Sequence, residues 1–99
     1  MDVFYQKFGQ GFVWDSNKAD SNFKKHRVSF EKACEIFFDP QVRYEDADVD
    51  EESRDAAVGV DFFFQLLLVV HAIRQEGLYR IISARLAEPA ERRRYEESA

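Results

Sequence analysis

Apolar residues in this chain recur in stretches short enough to assign element by element. "VFYQKF" (3–8) and "GFVWD" (11–15) read as two strands interrupted by Gly9 and Gly11. Asp15 or Ser16 then stands where a helix N-cap belongs, ahead of "NKADSNFKKH" (17–26), and Ala19 and Phe23 form the expected inner face of that helix. Ser29 caps a second, amphipathic helix, in which Phe30, Ala33 and Phe37 recur at i, i+3 and i+7 until Asp39-Pro40 ends it. The stretch "EDADVDEESRD" (45–55) has seven acids and one base, Arg54, and almost nothing to bury, so it reads as a loop. Three strands follow at "AAVGVDFF" (56–63), "QLLLVVHAI" (65–73) and "LYRIISARL" (78–86), with Gly77 in "RQEG" supplying a hairpin turn and antiparallel pairing expected throughout. Pro89 opens a last helix through "AERRRYEES", with Glu91 and Tyr95 on one face.

Length and composition narrow the class. With 99 residues the chain has room for one small core, so a single domain over 1–99 is expected. A hydrophobic fraction of 45% with ten Phe is that of a folded chain, even with 33% charged residues. Cys34 is the sole cysteine, which excludes an internal disulfide, and the start "MDVFYQKFGQ" lacks the basic and apolar regions of a signal peptide. A reducing, cytoplasmic setting is expected. The longest apolar run, 62–70, contains Gln65 and falls short of the roughly 20 residues that cross a bilayer, so no membrane association is expected.

Charge is uneven. Residues 1–27 carry five bases against three acids, 28–61 three against eleven, and 62–99 six against five, which together give the net charge of -5. The two ends can therefore form one basic face. The acidic total lowers the expectation of non-specific nucleic-acid binding, which rests on Lys and Arg at phosphates, but leaves room for a local phosphate site.

The segment "FVWDSNKADSNFKKHRVSFEKACEIFFDP", then Glu52, Arg54, Gly59, "LLLVVHAIR" and "YRIISARLAEPAERRRYEE", resembles the BrnT family of bacterial type II toxins over roughly residues 12–97. The most specific parts are W-D-x-x-K-A-x-x-N-x-x-K-H-x-V-S-F-E-x-A and the closing R-I-I-S-A-R with R-R-x-Y-E. The resemblance implies a small α+β, RelE-like fold: an antiparallel sheet with two N-terminal helices and one C-terminal helix. It also implies RNA cleavage, neutralisation by a BrnA-like ribbon-helix-helix antitoxin, and contact with DNA only through that antitoxin. Residues 1–11 stand as an N-terminal extension. Arg27 replaces the glycine usual after Lys-His, and must leave the left-handed conformation or hold it at about 1 kcal/mol. "DFFFQ" replaces a usually polar segment; three adjacent Phe on a strand must turn at least one outward, which marks Phe62–Phe64 as a partner surface.

RNA cleavage without a metal requires a base for the 2′-hydroxyl, a cation for the developing phosphorane and an acid for the leaving 5′-oxygen. The matched positions that can supply these are Lys25, His26, Arg54, Arg80, Arg85 and Tyr95. Arg80 and Arg85 are five apart, so on a regular strand they face opposite sides, and only a bulge brings both to one phosphate. Plainer roles compete: Lys24 and Lys25 as a solvated helix face, His26 as a favourable charge at a helix C-terminus, His71 as a hydrogen-bonded structural residue, and Cys34 as core. Arg92–Arg94 are expected in i, i+4 pairs with Glu96 and Glu97. No metal or cofactor is expected, since "EDADVDEE" lacks the glycine and spacing of a calcium loop and no His/Cys pair has zinc spacing. The competing function is a catalytically weak interaction module of the same fold.

Overall fold

The computed structural model describes residues 1–46 and 54–98. The chain opens with a hairpin, β1 (Asp2–Lys7) against β2 (Gln10–Asp15), turned through Phe8 and Gly9, both at positive φ. The Asp15 carboxylate accepts the Lys18 N–H at 3.0 Å and starts α1 (Ser16–His26). The Ser29 hydroxyl accepts the Lys32 N–H at 3.1 Å and starts α2 (Phe30–Cys34), which tightens into a 3₁₀ turn, Glu35–Phe38, before Pro40. Then come β3 (Arg43–Asp46), β4 (Asp55–Val60), β5 (Leu66–Ile73), β6 (Tyr79–Leu86) and α3 (Pro89–Glu97).

The α+β class holds, but the arrangement differs from the expected one. The helices α1 and α2 are not N-terminal; they follow the β1–β2 hairpin. The sheet has six strands in the order β1-β2-β6-β5-β4-β3 and is mixed, because β2 runs parallel to β6 through Phe12–Tyr79 and Val13–Arg80. Alternation within a strand reports that it is a strand, not which way its neighbour runs, and β2 meets a strand more than sixty residues away. Strand β3 was not expected either. It takes Glu45 and Asp46 out of the acidic stretch, which survives as a strand because its partner β4 satisfies its backbone groups. Asp55 of the stretch opens β4, with Arg54 directly before it, and 47–53, including Glu52, lie outside the described residues.

Two cores follow from the alternation of side chains. One face of the sheet gives Phe12, Trp14, Ala57, Leu67, Val69 and Ile81 to a core closed by Val28, Phe30, Cys34 and Ile36. The opposite face gives Ala56, Val58, Leu66 and Leu68, which meet Ala87 and Tyr95 of the C-terminal segment. Gly59 is needed where β4 passes the 3₁₀ turn, since a Cβ there would meet the Ile36 carbonyl oxygen at 3.1 Å and the Asp39 carboxylate at 3.2 Å.

Phe62–Phe64 do not lie on a strand. Strand β4 ends at Val60, and Asp61 organises a hairpin turn by accepting the N–H groups of Phe63 (2.8 Å) and Gln65 (2.9 Å). A carboxylate at this position favours the turn over continued pairing. Arg27, by contrast, holds the left-handed C-cap at φ 60°, with its N–H on the Phe23 carbonyl at 2.8 Å.

Candidate active site

The buried residue of α1 is neither Ala19 nor Phe23. Ala19 is half-buried, Phe23 is exposed with the Arg27 guanidinium 5.7 Å from its ring, and it is Asn22 that faces inward. Beyond the two β2–β6 pairs the strands separate, and Asn22 takes the place of the missing strand. Its side-chain amide donates to the Ala84 carbonyl (2.8 Å) and accepts the Ala84 N–H (3.1 Å), with a second donation to the Val28 carbonyl (3.1 Å). A carboxamide has the same donor and acceptor set as a peptide unit, so it can extend a ladder. Asn22 thus pins α1 against β6.

Next to this pin β6 is irregular. His71 pairs with Ile81 and Val70 with Ser83, so Ile82 is an extra, bulged residue. The bulge changes parity: Arg80, Ser83 and Arg85 stand opposite Ala72, Val70 and Leu68, alternate residues of β5, and therefore share one face, each about 7 Å from the next along the strand. Between the bulge and α1 lies a cleft of about 360 Å³ lined by Asn17, Lys18, Ser21, Asn22, Lys25, His26, Ile82 and Ser83. Lys18 and Lys25 are exposed and His26 half-buried. A cleft of about 430 Å³ on the other side of α1 is lined by Lys24, Asp20 and Glu31 among apolar residues, a charge set unsuited to phosphate.

The six candidate residues divide. Lys25 and His26 share the cleft with Ser83. Arg80 is on the same face of β6, where its guanidinium forms two bonds to the Asp2 carboxylate, at 3.3 and 3.0 Å, and this pairing holds the Asp2 carboxyl below its ordinary range. Arg54 is half-buried directly before β4; continuing the Asp55–His71 register brings its backbone level with Ala72, and Ala72 pairs with Arg80.

Arg85 and Tyr95 serve α3. The Arg85 guanidinium meets Glu91 in a two-bond fork, 2.9 Å on each arm, with Glu88 3.6 Å away. Burial pushes the Glu91 carboxyl up, but the Arg85 fork and the Glu88 N–H outweigh it and leave the group lowered; Arg85 is raised in turn by Glu91. The Tyr95 hydroxyl donates to the buried Asp39 carboxylate at 2.7 Å, and burial with that bond pushes it up to about 12. Arg94 does not pair with Glu96 or Glu97 but forks onto Glu45 of β3, at 3.2 Å on both arms. Arg92 does reach Glu96, at 3.9 Å.

His71 is fully buried on the opposite face, its ring 4.9 Å from Phe37 and 5.7 Å from Tyr79, with Nδ1 3.4 Å from the Val69 carbonyl. Burial holds it below its ordinary value, as suits a neutral structural histidine. Cys34 is core, its thiol pushed up by burial. Sequence reasoning missed Lys18, Asn22 and Ser83. The 18, 22, 25 spacing on α1 was the available signal, a polar stripe of helical period on the side that packs against the sheet.

The family model for the ribonuclease toxin BrnT, of type II toxin-antitoxin systems, matches residues 14–91. The chain belongs to the BrnT family. No curated protein matches it. The BrnT match contains the cleft, the bulge and the residues Lys25, His26, Arg54, Arg80 and Arg85. Asp2, the carboxylate on Arg80, and Tyr95 lie outside it. The family is one of ribonuclease toxins of type II toxin-antitoxin systems, and membership in it implies ribonuclease activity and an antitoxin partner. No helix among the described residues is long and apolar enough to cross a membrane.

Proposed function

We propose that this BrnT toxin is a RelE-like, metal-independent endoribonuclease whose cleavage centre is the cleft between α1 and the β6 bulge, with Arg80 beside it. In this reading it arrests growth in the bacterial cytoplasm until a BrnA-like ribbon-helix-helix antitoxin neutralises it, and it reaches DNA only through that antitoxin. The observation that carries the proposal is the bulge at Ile82, which puts Ser83, beside Lys25 and His26 in the cleft, on the same face of β6 as Arg80.

The chemistry follows from those groups. The substrate 2′-oxygen attacks the adjacent phosphorus as the bond to the 5′-oxygen breaks, leaving a 2′,3′-cyclic phosphate and a free 5′-hydroxyl. His26 takes the 2′-hydroxyl proton as general base, and the departing 5′-oxygen takes its proton from solvent water. Lys18 and Lys25 offset charge on the non-bridging oxygens. The Arg80 fork that holds the Asp2 carboxylate also fits two phosphate oxygens, so RNA displaces Asp2 there, the solvent-exposed pair giving way readily. Arg54, level with Arg80 two strands away, binds the next stretch of backbone. Arg85 and Tyr95 hold α3 in place and touch no substrate.

The test is to compare His26→Ala, Arg80→Ala and Arg85→Ala for RNA cleavage and melting. The first two are expected to lose about two to three powers of ten in rate while melting within a few degrees of wild type. Arg85→Ala leaves the buried Glu91 carboxylate unpaired and is expected to lose about 2–4 kcal/mol of stability, discounted from a fully buried pair because Arg85 is one-third exposed. Full cleavage by folded His26→Ala, or cleavage that stops in chelator, refutes the mechanism. A catalytically weak interaction module is the second reading. It is favoured by the carboxylates already seated on Arg80 and Arg85, and intact RNA with a folded wild-type chain decides for it.

A further inference from the structure

Two hairpin tips bring four phenylalanines to the surface together. Phe8, at the β1–β2 turn, lies 6.1 Å from Phe62 and 5.2 Å from Phe38, ring to ring. Phe8 is 75% exposed, and Phe62, Phe63 and Phe64 are 44%, 74% and 84% exposed. On the order of 550 Å² of aromatic surface faces solvent, at the upper end of what monomers expose in one patch. Two of these rings sit on strained backbone: Phe8 at φ 49° and Phe64 at φ 64°, conformations that glycine or asparagine would hold at less cost. At Phe64, 84% exposed, the ring adds little to the fold.

The backbone that carries the rings is also held in place. Asp61 accepts the N–H groups of Phe63 and Gln65, Glu35 accepts the Phe62 N–H at 2.9 Å, and Lys32 reaches Asp61 at 3.5 Å while lying 4.4 Å over the Phe63 ring. A binding loop fixed in advance loses little entropy on docking. Beside it runs a groove of about 520 Å³, with Phe38, Pro40, Val60, Phe62 and Phe64 as its apolar lining. The carboxyl groups that line it are Glu35, Asp39 and Asp61, and no Lys or Arg does so. The groove shares no lining residue with the α1–β6 cleft.

We propose that this groove and its phenylalanine rim anchor a segment of the antitoxin, an amphipathic helix that sets an apolar stripe on Phe62 and Phe64 and a lysine or arginine at its edge toward Glu35. The identity of the partner rests on the toxin-antitoxin reading; the position and chemistry of the anchor rest on the groove. Charge selects this occupant. Lys32 pairs with Asp61 at 3.5 Å and the Tyr95 hydroxyl takes up Asp39 at 2.7 Å, so Glu35 is the charge the groove offers a partner; a second copy would set Glu35 against itself and RNA would bring phosphate to it, whereas a basic-edged helix is attracted. Helix-in-groove recognition uses apolar anchors one helical turn apart, which the two rings and Val60 can accept.

The experiment is a calorimetric titration of a BrnA-like antitoxin into wild-type toxin and into the double variant Phe63→Ser/Phe64→Asn. Asparagine suits the left-handed backbone at position 64, and the exposed Phe63 ring gives up only its contact with Lys32, so the variant is expected to melt within a few degrees of wild type and to cleave RNA at the wild-type rate. Antitoxin affinity is expected to fall at least tenfold. Unchanged affinity overturns the proposal. So does a wild-type toxin that light scattering finds dimeric and the variant monomeric, with antitoxin affinity the same for both. Loss of antitoxin affinity in the variant supports the anchor even if wild-type toxin leaves RNA intact, so failure of the cleavage mechanism is read separately.

Discussion

Replacing Asn22 by aspartate changes one NH₂ to an oxygen without changing shape, and so tests whether a single carboxamide joins α1 to the sheet. Asn22 is 8% exposed and makes three bonds. The acceptor to the Ala84 N–H survives in Asn22→Asp; both donations, to Val28 and Ala84, are lost, and two carbonyl oxygens face a new oxygen. Each buried acceptor left unmatched costs about 1–3 kcal/mol, so a loss of about 3–5 kcal/mol at pH 7 is expected. Against a typical total of about 5–15 kcal/mol this is a large share. For a domain of this size it corresponds to a melting temperature lower by roughly 12–30 °C. The sign with pH is a second check. Burial beside two carbonyls raises the introduced carboxyl above its unfolded value of about 3.9, so the neutral form, which can donate one bond, is favoured. The penalty relative to wild type is then smallest below about pH 4 and grows as pH rises through the folded value. Denaturant unfolding of both proteins at pH 4 and pH 7, with hydrogen exchange of the Ala84 amide, measures each part. Wild-type stability at pH 7, or an equal penalty at both pH values, shows that Asn22 is not the link.

Arg27→Gly is expected to raise stability by up to about 1 kcal/mol, since the left-handed cap at φ 60° then carries no Cβ strain, and a lower melting temperature rules this out. Glu91→Gln tests the clasp on α3 by pH. Glu91 is lowered in the folded chain, so its contribution is present above the unfolded value near 4.5 and is lost as pH falls through the folded one. The stability gap between wild type and Glu91→Gln is therefore expected to narrow below about pH 5; a gap that is constant from pH 7 to pH 3 contradicts the clasp.

Most of the elements were legible because local rules produce them. Asp15 and Ser29 cap helices as their side chains allow, Pro89 opens the last one, and β4, β5 and β6 carry the apolar runs that strands need. The resemblance in the W-D-x-x-K-A and R-I-I-S-A-R segments led to the family, which the match over residues 14–91 bears out. Residues whose role is set by a distant partner were misread. Phe62–Phe64 looked like strand until Asp61 turned the chain, and β3 looked like loop until β4 paired with it. Asn22 was simply one polar residue in a motif.

The candidate site divides along the same line. Lys25 and His26 are neighbours in sequence and close one helix, so residue type and position sufficed to pair them. Whether Arg80 and Arg85 act together depended on parity, and parity depended on one extra residue at Ile82 that no alternation in "RIISAR" discloses. Even with both on one face, their partners separate them: Asp2 from the first strand sits on Arg80 at an exposed pair, whereas Glu91 from the last helix clasps Arg85. Short-range patterning sets what each segment can become. Register and ion pairing between segments tens of residues apart set which partner each arginine meets, because they are energies of contacts that exist only once the sheet has closed.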